Sequence, residues 1–503
     1  MKGIYRLLTV FILQSILIMT IILPITSSAQ DIMEKEKVIP DSIVSKIVND
    51  FYSAVNSGHR EKMEEFITSH YDQNILKRLP LFAAVSLYMG FYYETGGLGY
   101  EQPKILPSTA KSISIELYNK LTETTILSRI PMSNAPLFRI NNFINSEIAQ
   151  KDNEKQIKKY KDDELIKKTE LSLKKLAQDE EFSGTVIVAK EGKVLIEKAI
   201  GMASKSYEIP NKMDTKFNIA SVGKTFTALA ITQLVEQGKL SFDDSLSMYI
   251  GADWLDPEIS KKIQIKHLLT HTSGLDDYFR DAYMQCDIPF FRELKDYKAL
   301  IADDKLSFEP GTRFSYSNTG YILLGAVIEK ITNDTYFNYL KKNIFEPAGM
   351  INTDGFDKDV PVLNRATGYT KVYTNVKVSW NNHQFTRIMR GSPSGGIYTS
   401  AEDLLRFDHA FRTNKFLTPE YNDILIKGRP ELNVPFHSYG FFVSQGVVGR
   451  VLSHKGDGRG MNCHYKSFLD LGYTVIILSN YSAPSANIVA NIIDQLITHM
   501  VKS

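Results

Sequence analysis

The order of elements along the chain predicts a mixed α/β (α+β) fold. One antiparallel sheet is built from both ends of a large C-terminal domain and encloses a helical subdomain, with a small α+β domain in front. Three observations carry this reading. Phe182-Ser183-Gly184-Thr185-Val186-Ile187-Val188-Ala189-Lys190 is a β-branched run that a Glu191-Gly192 turn joins to Val194-Leu195-Ile196, the pattern of a hairpin. Comparable strand patterns return near the end, over 439–444, 450–453, 461–468 and 473–479, before a closing helix over 485–500. Between 147 and 181 more than half of the residues are charged, which marks a solvated joint between two domains.

At the N-terminus, Lys2 and Arg6 precede an almost wholly apolar stretch from Leu7 to Ile25, and Thr26-Ser27-Ser28-Ala29 has the small-residue spacing of a cleavage site. Residues 1–29 therefore read as a signal peptide, with Pro24 and the small-residue exit favouring removal over retention as an anchor. The absence of a Cys after this stretch argues against a lipid anchor. The mature chain is expected to be exported, periplasmic or secreted, without a stable membrane span, since no second apolar run reaches ~20 residues. Residues 30–146 are expected to form the small α+β domain. Ile43, Ile47, Phe51 and Val55 recur at helical spacing up to an Asn56-Ser57-Gly58 stop, and Ile113, Ile115 and Leu117 alternate with polar residues as in a half-buried strand. With the Thr95-Gly96-Gly97 loop, this succession resembles the small cone-shaped NTF2-like domains. His59 and His70 lie among polar residues and read as surface histidines. Residues 147–164 form the linker. Leu165, Thr169, Leu173 and Leu176 share one helical stripe, so the joint ends as an amphipathic helix of the C-terminal domain, 165–503.

Composition narrows the function. Lys and Arg total 59 against 57 Asp and Glu, a formal net charge of +2, which supplies no positive field for nucleic acid. Hydrophobic residues make up 43% and charged residues 23%, a globular rather than a disordered balance. Two cysteines, Cys286 and Cys463, exclude a disulfide scaffold and a four-Cys zinc site, and leave either one disulfide or two buried thiols.

The chemistry gathers in three motifs. Ser221-Val222-Gly223-Lys224 opens an apolar helical stretch that reaches Gly238. A Ser and a Lys three residues apart on a helix face the same way. Burial drives the ammonium towards neutrality, and the helix N-terminus favours an anionic oxygen; these are the conditions for a serine nucleophile with an adjacent base. Tyr316 and Asn318, in Phe314-Ser315-Tyr316-Ser317-Asn318-Thr319-Gly320-Tyr321, offer a phenol that can relay a proton if cations lower its pKa and an amide that can hold a substrate amide. His454-Lys455-Gly456 follows the strand pattern at 451–453, where Gly456 would let a substrate approach the strand edge.

Together and in this order, the three motifs resemble the serine β-lactamase and penicillin-binding protein superfamily, in its class C-like branch. The resemblance runs from about Leu165 to the C-terminus and takes in Phe182-Ser183-Gly184 and the segments 265–275, 347–350 and 394–400. It implies that Ser221 is the acylated nucleophile, Lys224 its base partner, and Tyr316 the group that shuttles the proton to the leaving group and activates water in deacylation. Asn318, His454 and Gly456 would bind substrate, and the backbone N–H groups of Ser221 and Asp457 would form the oxyanion hole. No metal or cofactor is implied. β-Lactamases of this branch carry Lys-Thr-Gly where this chain has His454-Lys455-Gly456, a form more like the peptidase and esterase members. A histidine, with an ordinary pKa of ~6.5, is mostly neutral at pH 7, although a cationic His454 would grip a carboxylate. The expectation is a D-Ala-D-Ala carboxypeptidase-like or esterase-like serine hydrolase acting on a small-molecule or peptide substrate. The alternatives are a slow-turnover β-lactam-binding protein or weak β-lactamase, and a non-catalytic scaffold, against which the complete set of motifs argues. His267 and His271, four apart, lack the glutamate of a metalloprotease motif, so a structural role is expected of them. Trp254, Tyr278 and Phe279 could wall the cleft or pack the core.

Overall fold

The computed structural model describes residues 39–99, 103–109, 111–133, 138–142, 144–148, 161–279, 283, 290–373, 378–384 and 388–502. The expected signal peptide, the middle of the charged joint and Cys286 lie outside these residues. The chain forms two compact units, one up to Asn153 and one from Glu154.

In the first unit, four helices, α1 (Asp41–Ser57), α2 (Arg60–His70), α3 (Gln73–Arg78) and α4 (Leu81–Thr95), precede four strands, β1 (Lys104–Thr109), β2 (Ser112–Asn119), β3 (Thr124–Pro131) and β4 (Asn145–Ile148). The expected glycine stop is where α1 ends: Gly58 takes the left-handed conformation at φ 61 and donates to Val55 O. The strands pair antiparallel in sequential order, and Ile113, Ile115 and Leu117 are buried on one face of β2. His70 departs from expectation. It is buried, packed on Phe66 with its Nε2 2.8 Å from Asp50 Oδ2, because the helical face it shares with Met63, Phe66 and Ile67 turns inward.

The second unit opens with α5 (Asp162–Gln178), whose buried residues are the expected stripe of Leu165, Thr169, Leu173 and Leu176. The helix begins inside the stretch read as linker. Asp162, Asp163 and Glu164 supply the acidic first turn that a helix N-terminus favours, and Asp162 accepts from Lys190 at 3.1 Å and from Tyr473. Strands β5 (Gly184–Lys190) and β6 (Lys193–Ile200) form the hairpin. A short strand β7 (Phe217–Asn218), helix α6 (Lys224–Glu236), helix α7 (Asn318–Thr332), a short strand β8 (Tyr398–Thr399) and helix α8 (Ala401–Arg412) occupy the middle. The chain closes with β9 (Phe442–Gly446), β10 (Gly449–Gly458), β11 (Met461–Phe468), β12 (Tyr473–Ser479) and α9 (Ser485–Lys502).

The main sheet has the order β9-β10-β11-β12-β5-β6, antiparallel throughout, so β12 joins the two ends of the unit from Tyr473↔Lys190 to Ser479↔Gly184. Ile187, Ala189, Ile476 and Leu478 face the core shared with α6 and α7, while the alternate residues Val186, Val188, Val475 and Ile477 are also buried, on the face where α9 lies against β11 and β12. Burial on both faces is why these strands read as unbroken apolar runs. Polar bonds fix α8: Asp408 accepts from Tyr465 at 2.7 Å, Ser467 at 2.7 Å and Thr474 at 2.5 Å. One strand is longer than its sequence pattern. β10 continues through His454 and Gly456 to Gly458 because β11 pairs with it to the end, Gly458↔Met461, although β9 leaves after Ser453.

A chain starting at Glu154 should unfold at the urea midpoint of the larger transition of the full protein, and Leu176→Ala in that shorter chain should cost about 2–5 kcal/mol. Equal midpoints for the shorter chain and its Leu176→Ala variant would mean that α5 is no part of the core.

Candidate active site

The edge of β10 that β9 vacates is covered by a 3-10 turn, Ala220–Gly223, which runs directly into α6. Gly456 makes this contact possible, since a Cβ there would lie 2.1 Å from Ile219 O. The close approach expected of a substrate is therefore made by the turn that carries Ser221. Behind the turn, β8 pairs with β7 and Ile219 N donates to Ile397 O at 2.9 Å. Gly396 N donates to Ala220 O at 3.1 Å, and Gly395 gives the turn room, its own Cβ position lying 2.5 Å from that oxygen. Ala220 is held at φ 46, a left-handed conformation that costs about 1–3 kcal/mol outside glycine. Its N–H donates to Asn218 Oδ1 at 2.9 Å, one of the bonds that offset the strain.

Lys224 has no exposed surface. Its Nζ lies 3.2 Å from Ser221 Oγ and 2.7 Å from Asn318 Oδ1, and it also bonds Ser394 O. Burial pushes its pKa down to about 7, against the pull of Asp277, which favours the ammonium. The three neighbours differ in what they can do. Two are carbonyl oxygens, which only accept; the third is a hydroxyl, which can give a proton. A neutral amine with two N–H groups must spend both on Asn318 Oδ1 and Ser394 O, and its lone pair is then left facing the Ser221 hydroxyl.

Tyr316 approaches from the loop before α7, its ring 4.9 Å from Lys224 Nζ, and the Ser221 side chain acts to lower its pKa. His271 holds that loop at three points: its O accepts from Ser315 N at 2.8 Å, its Nδ1 from Ser317 N at 3.1 Å, and its ring stacks on Tyr316 with centroids 4.1 Å apart. The condition set for a lowered Tyr316 pKa, cations close by, is outweighed by burial. Burial raises the pKa, so the group is a phenol that can pass a proton and not a standing phenolate. Ser317 caps α7, accepting from Gly320 N at 3.3 Å. Asn318 opens the helix with Oδ1 towards Lys224 and Nδ2 donating to Asp277 Oδ2 at 2.7 Å, which leaves one amide hydrogen for a substrate.

His454 lies on β10 beside this cluster, 2% exposed. Since a carbonyl only accepts, the 2.8 Å contact with Lys455 O places a proton on Nδ1. Burial, and then the neighbouring Lys224, hold the ring pKa well below its ordinary value, so the ring is neutral, as its ordinary pKa implied, and the carboxylate grip that a cationic ring would give is not supported. Asp457 is two residues from Lys455 on the same strand, its carboxylate bonded by Asn462 Nδ2. Cys463, opposite Gly456, is a buried free thiol pushed up to about 12 by burial.

Ser221, Lys224, Tyr316, Asn318, His454 and Gly456 thus meet around one strand edge. The sequence reading missed Asp277 and the carbonyl of Ser394. Two adjacent acids just before a buried aromatic, Asp276-Asp277-Tyr278, were the available signal for the first; a backbone oxygen leaves none for the second. Tyr278 packs in the core against Ser394, and Trp254 lines a separate cleft with Lys298. His267 Nδ1 accepts from Gln264 N at 3.1 Å and caps a short helix, and among the described residues no cluster of His, Cys, Asp and Glu is arranged to hold a metal.

Residues 173–498 match the Beta-lactamase family. The chain belongs to that family, within the serine β-lactamase and penicillin-binding protein superfamily, and is a serine hydrolase of it. It is similar to Penicillin-binding protein 4* of Bacillus subtilis (strain 168), 31% identical over 318 residues that cover 61% of this chain and 69% of the relative. A penicillin binding protein of known structure from Bacillus halodurans is 31% identical, with a TM-score of 0.57 over 63% of this chain and 97% of that one. EstCE1, described as a hydrolase with promiscuous acyltransferase activity, shares the fold at 23% identity, with a TM-score of 0.55 over 67% of this chain and 99% of that one.

Gly456→Ala should push the Ser221 turn off the strand and slow fluorophosphonate labelling by about 10²-fold, the usual cost of a misplacement near 1 Å. Gly446→Ala, where a Cβ meets nothing within 4 Å, is the control and should label at the wild-type rate. Equal rates in the two variants would show that the turn is not seated on the strand.

Proposed function

We propose that this protein is an exported serine hydrolase that forms an acyl-enzyme at Ser221 and cleaves an amide, peptide or ester bond, with D-Ala-D-Ala peptides and small esters as the substrate class. The observation that carries the reading is the setting of Lys224, whose two carbonyl acceptors leave its lone pair facing Ser221 Oγ at 3.2 Å. In acylation, Oγ attacks the substrate carbonyl and its proton passes to Lys224. The oxyanion is taken by the backbone N–H groups of Ser221 and Asp457. Collapse expels the leaving group, which takes the Tyr316 proton while Tyr316 takes the one held by Lys224. In deacylation the same groups run in reverse, removing a proton from water as it attacks the ester.

One observation supports amides and esters over efficient β-lactam turnover: His454 stands where β-lactamases carry lysine, and burial keeps it neutral. The remaining Asn318 amide hydrogen suits a carbonyl oxygen of any of these substrates. Export is supported by Lys2 and Arg6, the apolar stretch to Ile25 and the Thr26–Ala29 exit.

The test is intact mass after separate exposure to a fluorophosphonate, a β-lactam and an acyl-D-Ala-D-Ala peptide. Wild type should gain the phosphonate on Ser221 and turn the peptide or an ester over. Ser221→Ala should gain nothing and hydrolyse nothing while keeping its circular dichroism spectrum. A β-lactam adduct that persists without peptide turnover would favour a slow-turnover binding protein, and hydrolysis retained by Ser221→Ala would falsify the nucleophile assignment.

A further inference from the structure

We propose that Asp277 is a positioning residue for Lys224: through the side-chain amide of Asn318 it aims the lysine at Ser221, and it supplies the counter-charge that the buried amine sees. The proposal rests on the reading of Ser221 and Lys224 as nucleophile and base. An ionised carboxylate only accepts hydrogen bonds. Asp277 Oδ2 takes one from Asn318 Nδ2 at 2.7 Å and one from Asn318 N at 3.2 Å, and Oδ1 takes one from Phe279 N at 3.0 Å. With Nδ2 committed to Asp277, the amide must present Oδ1 to Lys224, as it does at 2.7 Å. The flipped amide would set N–H groups against those of the lysine, and the lone pair would lose its fixed direction. Asp277 therefore removes an alternative that Asn318 alone would leave open.

The second part concerns charge. Lys224 is faced by the rings of Tyr316 and Tyr321, 4.9 and 5.4 Å from Nζ, by His271 and His454, and by the Ser221 hydroxyl. The tyrosines are phenols and burial keeps both histidines neutral. Burial raises the Asp277 carboxyl above its ordinary range, while the hydrogen bonds from Phe279 and Asn318 and the charge of Lys224 pull it back down. When ionised it is the counter-charge joined to the amine through one amide, and it opposes the effect of burial on Lys224. A competing account is that Asp277 simply caps α7 by taking the N–H of Asn318. That helix already has its cap in Ser317, and a cap has no reason to bond the Asn318 side chain as well.

The experiment follows the 13Cε signal of Lys224 in 13C-lysine-labelled full-length protein, assigned by its loss in Lys224→Ala. In Asp277→Asn its titration midpoint should fall by about one pH unit, the effect of losing a nearby opposite charge. The fluorophosphonate labelling rate, read above both midpoints, should also fall, because the amide is free to flip. Asp277→Glu keeps the charge and should hold the wild-type midpoint. A capping role predicts a lower melting temperature with the midpoint unmoved, and that result would overturn the proposal. If Asp277→Asn does not accumulate as folded protein, the exchange of Asp277→Asn with Asn318→Asp restores a donor–acceptor pair and sets the anion against Lys224. The midpoint should then move above that of wild type, and a midpoint unchanged by the exchange would contradict the proposal. The signal reports on Lys224 whether or not Ser221 reacts. Unlabelled wild type with a midpoint that depends on Asp277 counts against the nucleophile; labelled wild type with an indifferent midpoint counts against Asp277.

Discussion

An ammonium taken out of water loses several kcal/mol of hydration unless its neighbours replace it, and Lys224 is wholly buried with two carbonyl oxygens and one hydroxyl about its nitrogen. That surrounding is adequate for a neutral amine and only just so for a charged one. The outcome is a lysine whose pKa is pushed down to about 7, where an exposed lysine would be charged and useless as a base. Every other feature of the site follows from that burial. The nucleophile stands on the preceding turn, the acceptors come from α7 and the loop at 392–396, and the tyrosine closes the remaining side.

The sheet provides the rigid frame that such burial needs. β12, the last strand of the unit, pairs with the first, β5, and β10 runs on from His454 to Gly458 past its pairing with β9 to leave an edge on which the Ser221 turn rests. Contacts at Gly456 and Gly395 admit no side chain, so the backbone of the turn packs directly against both segments. His271, in a left-handed conformation at φ 58, ties the Tyr316 loop to the same frame. His437 packs against His271 at 5.1 Å, and burial pushes its pKa down to about 3, so the ground beneath Tyr316 stays uncharged at any working pH.

Much of this was legible in the sequence, for physical reasons that differ by element. The central strands announce themselves because both faces are buried, and α5 because its stripe of Leu165, Thr169, Leu173 and Leu176 meets the core. The Ser221–Lys224 spacing reads correctly because a turn and a helix start place both side chains on one side. Where reading failed, the deciding partner lay far along the chain. The pattern at 450–453 stops before His454-Lys455-Gly456, and Gly456, read as a place for a substrate to approach, admits the Ser221 turn. His70 and Asp277 look like surface residues beside their polar neighbours, and only tertiary packing turns them inward. Whether cations lower the Tyr316 pKa was open in the sequence; its neighbours are a neutral histidine and a lysine that burial inclines to neutrality.

The most direct test of the account is the pH dependence of Ser221 acylation by a neutral ester in wild-type protein, read as kcat/KM from pH 5 to 10. A base that must be deprotonated gives a rate that rises with pH through its pKa. The account predicts an acid limb near the value of about 7 set by the burial of Lys224, followed by a plateau, because burial keeps the Tyr316 phenol protonated well above that range. A limb displaced to the range of an exposed lysine, or a rate that falls as pH rises through neutrality, would contradict it.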